Sequence, residues 1–129
     1  MAVKFKVIKQ AQPGIKGGGK YKYYARITER EKCNLDMITQ DIADMSSFSR
    51  ADAVGILQAF IDLIPEYLLD GKNVELGDLG TFSLSLEAEG MESELKVNRK
   101  SIKNVRVQFR PGVKFKKAVE NPRFKKVSE

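Results

Sequence analysis

Nine cationic side chains crowd one stretch of the sequence: Lys96, Arg99, Lys100, Lys103, Arg106, Arg110, Lys114, Lys116 and Lys117. Lysine and arginine at this density can neutralise phosphates and release their counterions. The resulting affinity is independent of base sequence and falls with salt. Arg106, Gln108 and Arg110 alternate with Val105, Val107 and Phe109. An extended strand would turn the polar set outward and the apolar set inward. The composition alone suits RNA as well as DNA.

Other chemistry has little to work with. The chain contains no histidine, which removes the commonest general base and the commonest metal ligand. Its one cysteine, Cys33, has no ligand cluster around it and reads as a small buried or half-buried residue. Asp41 and Asp44 fall on the solvent side of a helix, and Asp78 sits in a turn. No nucleophile has a base beside it in a recognisable motif. Gly17-Gly18-Gly19-Lys20 lacks the spacing of a phosphate loop, and no helix-forming stretch follows it. The expectation is a non-enzymatic protein with no cofactor, no metal and no small-molecule substrate.

At 129 residues and 42% apolar content, the chain suits one domain with a modest core. No apolar run approaches the roughly 18 residues of a membrane span. Residues 1–6 alternate charge with bulk, unlike a signal peptide, so a cytoplasmic address is expected. The net charge of +6 conceals a segregation. Residues 1–32 hold nine Lys/Arg against two Asp/Glu, residues 33–80 hold two against nine, and residues 81–129 hold twelve against six. Such a layout suits a chain whose two ends face a polyanion while its middle faces elsewhere.

The elements that must position these charges can be read along the chain. Residues 1–32 pattern as a β-hairpin, with Val3, Phe5 and Val7 alternating with Lys4 and Lys6. The return strand, 21–27, puts Tyr21, Tyr23, Ala25 and Ile27 on one face and Lys22, Tyr24 and Arg26 on the other. Its alternating tyrosines read as strand core. The glycine-rich connection, 10–20, reads as a flexible loop. A first helix is expected over 35–45, with Leu35, Ile38, Ile42 and Met45 on one face. A second runs from the Ser49 cap to Asp70 and stops at Gly71. Strands follow at 73–76, 81–87 and 105–110. The stretch between the last two, 88–104, has weak patterning and reads as an extended, mobile arm. A short helix over 113–119 is anchored by Phe115, Ala118 and Val119.

The second helix carries Val54, Ile56, Leu57, Phe60, Ile61, Leu63, Ile64, Tyr67, Leu68 and Leu69. That is too many for one stripe. A helix apolar around most of its circumference must be covered on several sides, and a second copy is the simplest cover.

Gly77-Asp78-Leu79-Gly80-Thr81-Phe82 and Phe109-Arg110-Pro111-Gly112 are turn signals at strand edges. Their order and spacing, with the two helices before them, resemble the HU/integration host factor family of bacterial histone-like proteins over about residues 34–119. The resemblance implies an α+β fold: two helices, a three-stranded antiparallel sheet with an extended β-arm, and a short C-terminal helix. The 1–32 hairpin is similar to an extension seen in divergent members from Bacteroides-type bacteria. The expected organisation is therefore a hairpin extension at 1–32, an HU-like domain at 33–120 and a basic tail at 121–129. The resemblance implies a homodimer that binds double-stranded DNA in the nucleoid through basic arms and the sheet face, with little sequence preference. The sequence also departs from the family. No proline occurs between 66 and 110, where the family's arm carries a wedging proline, and Leu95 lies near that position. The outgoing arm carries Glu87, Glu89, Glu92 and Glu94, which could pair across the hairpin with Lys96, Arg99 and Lys100. These departures leave an alternative: an interaction module on the HU dimer fold with weak or no DNA binding.

Overall fold

The computed structural model describes residues 1–11, 14, 16, 17 and 19–128. In chain order its elements are β1 (Val3–Ala11), β2 (Tyr21–Ile27), α1 (Leu35–Met45), α2 (Arg50–Leu69), β3 (Val74–Glu75), β4 (Gly80–Ala88), β5 (Ile102–Pro111), α3 (Val113–Ala118) and β6 (Phe124–Lys126). The architecture is mixed α+β, with three helices and two three-stranded sheets. The chain divides into two compact units. One is Leu35–Val119; the other joins the chain ends, up to Asn34 and from Glu120 onward.

The helices of the first unit follow their local chemistry. In α1 the Thr39 hydroxyl donates to the Asp36 carbonyl at 2.8 Å and is almost wholly buried. After α1, the Ser46 hydroxyl donates to the Ile42 carbonyl at 2.6 Å and accepts from the Phe48 amide. Ser49 then caps α2, its hydroxyl accepting from the Asp52 amide at 3.1 Å. The helix continues through Pro65 and ends before Gly71, whose φ of +79° suits glycine. Pro65 has no amide proton, so one turn of α2 lacks a rung.

The sheet of this unit runs β3-β4-β5, antiparallel throughout. Phe82 faces Phe109, Leu84 faces Val107 and Leu86 faces Val105. The two ring centroids lie 4.8 Å apart, with the planes tilted by 43°. The alternate pairs, Thr81 with Arg110, Ser83 with Gln108 and Ser85 with Arg106, share the polar face.

Two glycines hold the turn before β4 against the junction after β5. The Leu76 amide donates to Gly80 at 2.8 Å, and the Gly112 amide donates to Leu79 at 3.0 Å. A Cβ on Gly80 would collide with the Arg110 carbonyl oxygen, and one on Gly112 with the Asp78 carbonyl oxygen. Gly80 also has φ +142°, a region closed to L side chains. Gly112 has an ordinary φ of −70°. It is needed for space, rather than for the sharp bend that its place after Pro111 suggests.

The connection from β4 to β5 departs from expectation. The ladder ends at Ala88–Ile102, and residues 89–101 form a compact loop instead of an extended β-arm. It holds two 3-10 turns, Glu94–Lys96 and Arg99–Ser101. The Asn98 side chain accepts from the Lys100 amide at 2.9 Å, and the Ser101 hydroxyl donates to the Asn98 carbonyl at 2.6 Å. Ser101 is almost wholly buried, and its carbonyl accepts from the Glu89 amide at 2.8 Å. These caps satisfy backbone groups locally, so no long ladder is needed.

The unit built from the chain ends is a three-stranded sheet of order β2-β1-β6. β1 and β2 pair antiparallel, and β6 pairs parallel to β1 through Val3–Phe124, Lys4–Lys125 and Phe5–Lys126. Residues 124–126 thus form a strand within what reads as a basic tail. Phe5 and Phe124 meet edge to face at 6.3 Å. Tyr21 and Tyr23 are exposed, and Tyr24 is the half-buried tyrosine, the reverse of the strand-core reading. Cys33 is exposed rather than buried. The expected flexible loop at 10–20 falls partly on Gln12, Pro13, Ile15 and Gly18, outside the described residues.

Little of the apolar content is covered. Among the described residues only Ala53 and Leu68 are fully buried hydrophobics. Phe115 and Val119, the expected anchors of α3, are 41% and 61% exposed.

Two stability outcomes are expected from this packing. Gly112→Ala and Gly80→Ala should each destabilise by about 2–3 kcal/mol, because backbone must move. Gly77→Ala, with positive φ but open space around it, should cost nearer 1 kcal/mol. Urea unfolding checks the order, and equal costs would contradict the close approach. Asn98→Ala should cost about 1 kcal/mol and speed amide exchange at Glu89 and Ser101.

Candidate nucleic-acid interface

The polar face of β4 and β5 holds two of the cations in strand register. Arg106 and Arg110 sit two pairs apart on β5, separated by Gln108 and faced by Ser85, Ser83 and Thr81. The hydroxyls and the amide are hydrogen-bond donors of the kind that bind phosphate oxygens. Ser83, Ser85 and Gln108 were legible as outward-facing from the alternation, but their register against the two arginines was not.

Three of the nine cations already hold a carboxylate. Arg106 Nη2 lies 3.0 Å from Glu87 Oε2. Lys96 Nζ lies 3.7 Å from Glu92 Oε2, and Lys114 Nζ lies 3.5 Å from Asp78 Oδ2. The expected pairing of the arm's acids with Lys96, Arg99 and Lys100 is met only by Glu92, which holds Lys96 four residues along the loop rather than across a hairpin. The pair that does cross between strands is Glu87 of β4 with Arg106 of β5. All three pairs are solvent-exposed, so each contributes at most about 1 kcal/mol and can exchange its carboxylate for another anion. Arg99, Lys100, Lys103, Arg110, Lys116 and Lys117 make no ion pair among the described residues.

The structure does not line these groups along one returning strand. Lys96, Arg99 and Lys100 belong to the compact loop. Lys103 is the extra residue of a β-bulge, since Glu87 pairs with Asn104 and Ala88 with Ile102. Lys114, Lys116 and Lys117 lie on α3, the last two in its final turn, where cations offset the helix dipole. Leu95 is 96% exposed at the loop, beside Lys96. No cluster of histidine, cysteine or carboxylates able to hold a metal ion occurs among the described residues. No helix of the described residues is long and apolar enough to cross a membrane.

Comparison with known proteins places this geometry. No curated protein matches the chain. Among solved structures it is similar to a protein from Bacteroides vulgatus ATCC 8482, described as a candidate bacterial DNA-binding protein. The likeness has a TM-score of 0.69 at 11% identity and covers 98% of this chain and 49% of that one. The chain thus spans about half the length of that structure. Residues 1–126 match the family model described as an HU domain fused to wHTH, Ig, or Glycine-rich motif. With the match running over nearly all of its length, the chain belongs to this family of fused HU domains.

Proposed function

We propose that the protein is a non-enzymatic architectural protein that binds double-stranded DNA as a homodimer, with little sequence preference. One observation carries the reading: Arg106 and Arg110 lie in register with hydroxyl-bearing residues on one sheet face, in a chain of the HU family. The arginines neutralise phosphates, and Thr81, Ser83, Ser85 and Gln108 add neutral hydrogen bonds to the same backbone. Lys100, Lys103, Lys116 and Lys117 extend the charge. Phosphate contacts position a protein without reading bases, hence the low specificity. Leu95, exposed between Glu94 and Lys96, supplies an apolar group of the kind that wedges between base steps. A nucleoid location follows from this partner.

The dimer rests on surface area. The chain exposes 11388 Å². A compact monomer of 14.5 kDa would expose about 6,900 Å², and two separately compact bodies of the units' lengths roughly 8,200 Å². The surplus, on the order of 3,000 Å² per chain and so about 6,000 Å² for a pair, is at least as large as the roughly 2,000–5,000 Å² that obligate homodimers bury in total. Exposed apolar groups contribute to it, with Ile56, Ile61, Leu63 and Tyr67 of α2 each more than 40% exposed.

Two experiments test these parts. Sedimentation at micromolar concentration should give a species near twice 14.5 kDa, with a thermal midpoint that rises with concentration. Phe60→Ala should cost about 3–5 kcal/mol of dimer stability if the partner covers that ring. A folded monomer at that concentration would overturn the assembly. For binding, duplex affinity should fall with salt by about 0.9 log units per log unit for each phosphate neutralised. Arg106→Gln with Arg110→Gln should weaken binding to all sequences alike and flatten that slope. Glu87→Gln and Glu92→Gln, which remove repulsion and free a cation, should strengthen binding. No duplex binding at low salt, by the wild type or by the acid-to-amide variants, would sink the DNA reading.

A further inference from the structure

The sheet formed by the chain ends has two unlike faces. One carries Phe5 and Phe124 in contact, with Lys9 lying over the Tyr21 ring at 5.3 Å. The other carries Lys4, Lys6, Lys22, Arg26 and Lys125, with half-buried Ile8 and Tyr24 paired among them. Register sharpens the asymmetry. Lys6 pairs directly with Arg26, and Lys4 directly with Lys125. Like charges directly opposite in a sheet are destabilising. Among the described residues only Lys4 has a carboxylate, with its Nζ 3.2 Å from Glu29 Oε2. Lys6, Lys22, Arg26 and Lys125 make no ion pair among the described residues.

A face that only solvates the sheet would gain from acids placed opposite these cations, and its strands carry none. The arrangement makes sense when an external polyanion supplies the missing negative charge. We infer that the Lys6–Arg26 face of this sheet is a second phosphate-binding surface that docks the backbone of double-stranded DNA. The choice of duplex rests on the function proposed above; the surface itself rests on the strand register. Arg26 offers a planar fork of donors suited to phosphate, and Tyr24 a hydroxyl. The aromatic rings of Tyr21 and Tyr23 lie on the other face, so base stacking takes no part in this contact.

The test exploits opposite signs. In the full-length protein, Lys6→Gln with Arg26→Gln removes both a phosphate contact and an internal repulsion. Duplex affinity at low salt should fall several-fold, and the salt slope should drop by about 0.9 for each phosphate that is no longer neutralised. The thermal midpoint of the free protein should hold or rise. Unchanged affinity would overturn the inference. Lys22→Gln with Lys125→Gln, on the two edge strands, should weaken binding in the same way and carries the test if the first variant loses its fold. Arg106→Gln with Arg110→Gln is measured alongside. If only that pair weakens binding, the inference fails and the proposed function stands. If only the terminal-sheet pairs weaken it, the inference stands and the β4–β5 face is not the contact. A single strand of equal length that competes better than duplex would overturn duplex as the occupant.

Discussion

The close approach of the two backbones at Gly80 and Gly112 is the constraint on which the larger unit depends. Neither position has room for a Cβ, because a carbonyl oxygen of the facing segment occupies the space. The contact clamps the start of β4 to the end of β5 and so sets their register. A slip of one residue would turn Arg106 and Arg110 onto the side now held by Phe82, Leu84 and Leu86. The placement of charge on one face and of apolar bulk on the other thus traces back to two residues that have no side chain.

A second theme is incompleteness. The chain contains far more apolar surface than it covers, and α2 shows this on most of its circumference. The same holds for charge: several cations of the loop, of α3 and of the terminal sheet make no ion pair among the described residues. Both surpluses have the same physical meaning. Apolar area left in water and like charges left adjacent are costs that a folded chain carries only when something else removes them. A second copy answers the first cost, and a polyanion answers the second.

Much of this was legible from residue order, where the signals were long or chemically strict. The bounds of α1 and α2 follow from apolar spacing, the Ser49 cap and Gly71. The alternation of 105–110 marks the polar face correctly, and the HU resemblance is matched by the family. The rest was hidden for identifiable reasons. The loop over 89–101 looked like an arm because its charges drown a four-residue signal, Asn98 to Ser101, whose caps compact it. β6 is three residues long, too short to show a period, and its partner strand lies at the other end of the chain. The Glu87–Arg106 pair and the Lys103 bulge depend on register, which alternation alone does not supply. Tyr24, rather than Tyr21 and Tyr23, is half-buried; it pairs with half-buried Ile8 of β1, a partner that counting alternate residues cannot reveal.

The parallel pairing of β6 with β1 gives the smaller unit a history. Its first two strands leave the ribosome early, and a lone hairpin is at best marginally stable in water. The third strand arrives only after all of Leu35–Val119 has been made. Closing Ile27 to Phe124 through a floppy intervening chain costs entropy that grows with its length. The third strand can pair only once the chain has been made past Val119, so the terminal sheet is the later of the two units to be completed. Its closing pairs, Val3 with Phe124 and Phe5 with Lys126, join residues from both sides of the inserted unit.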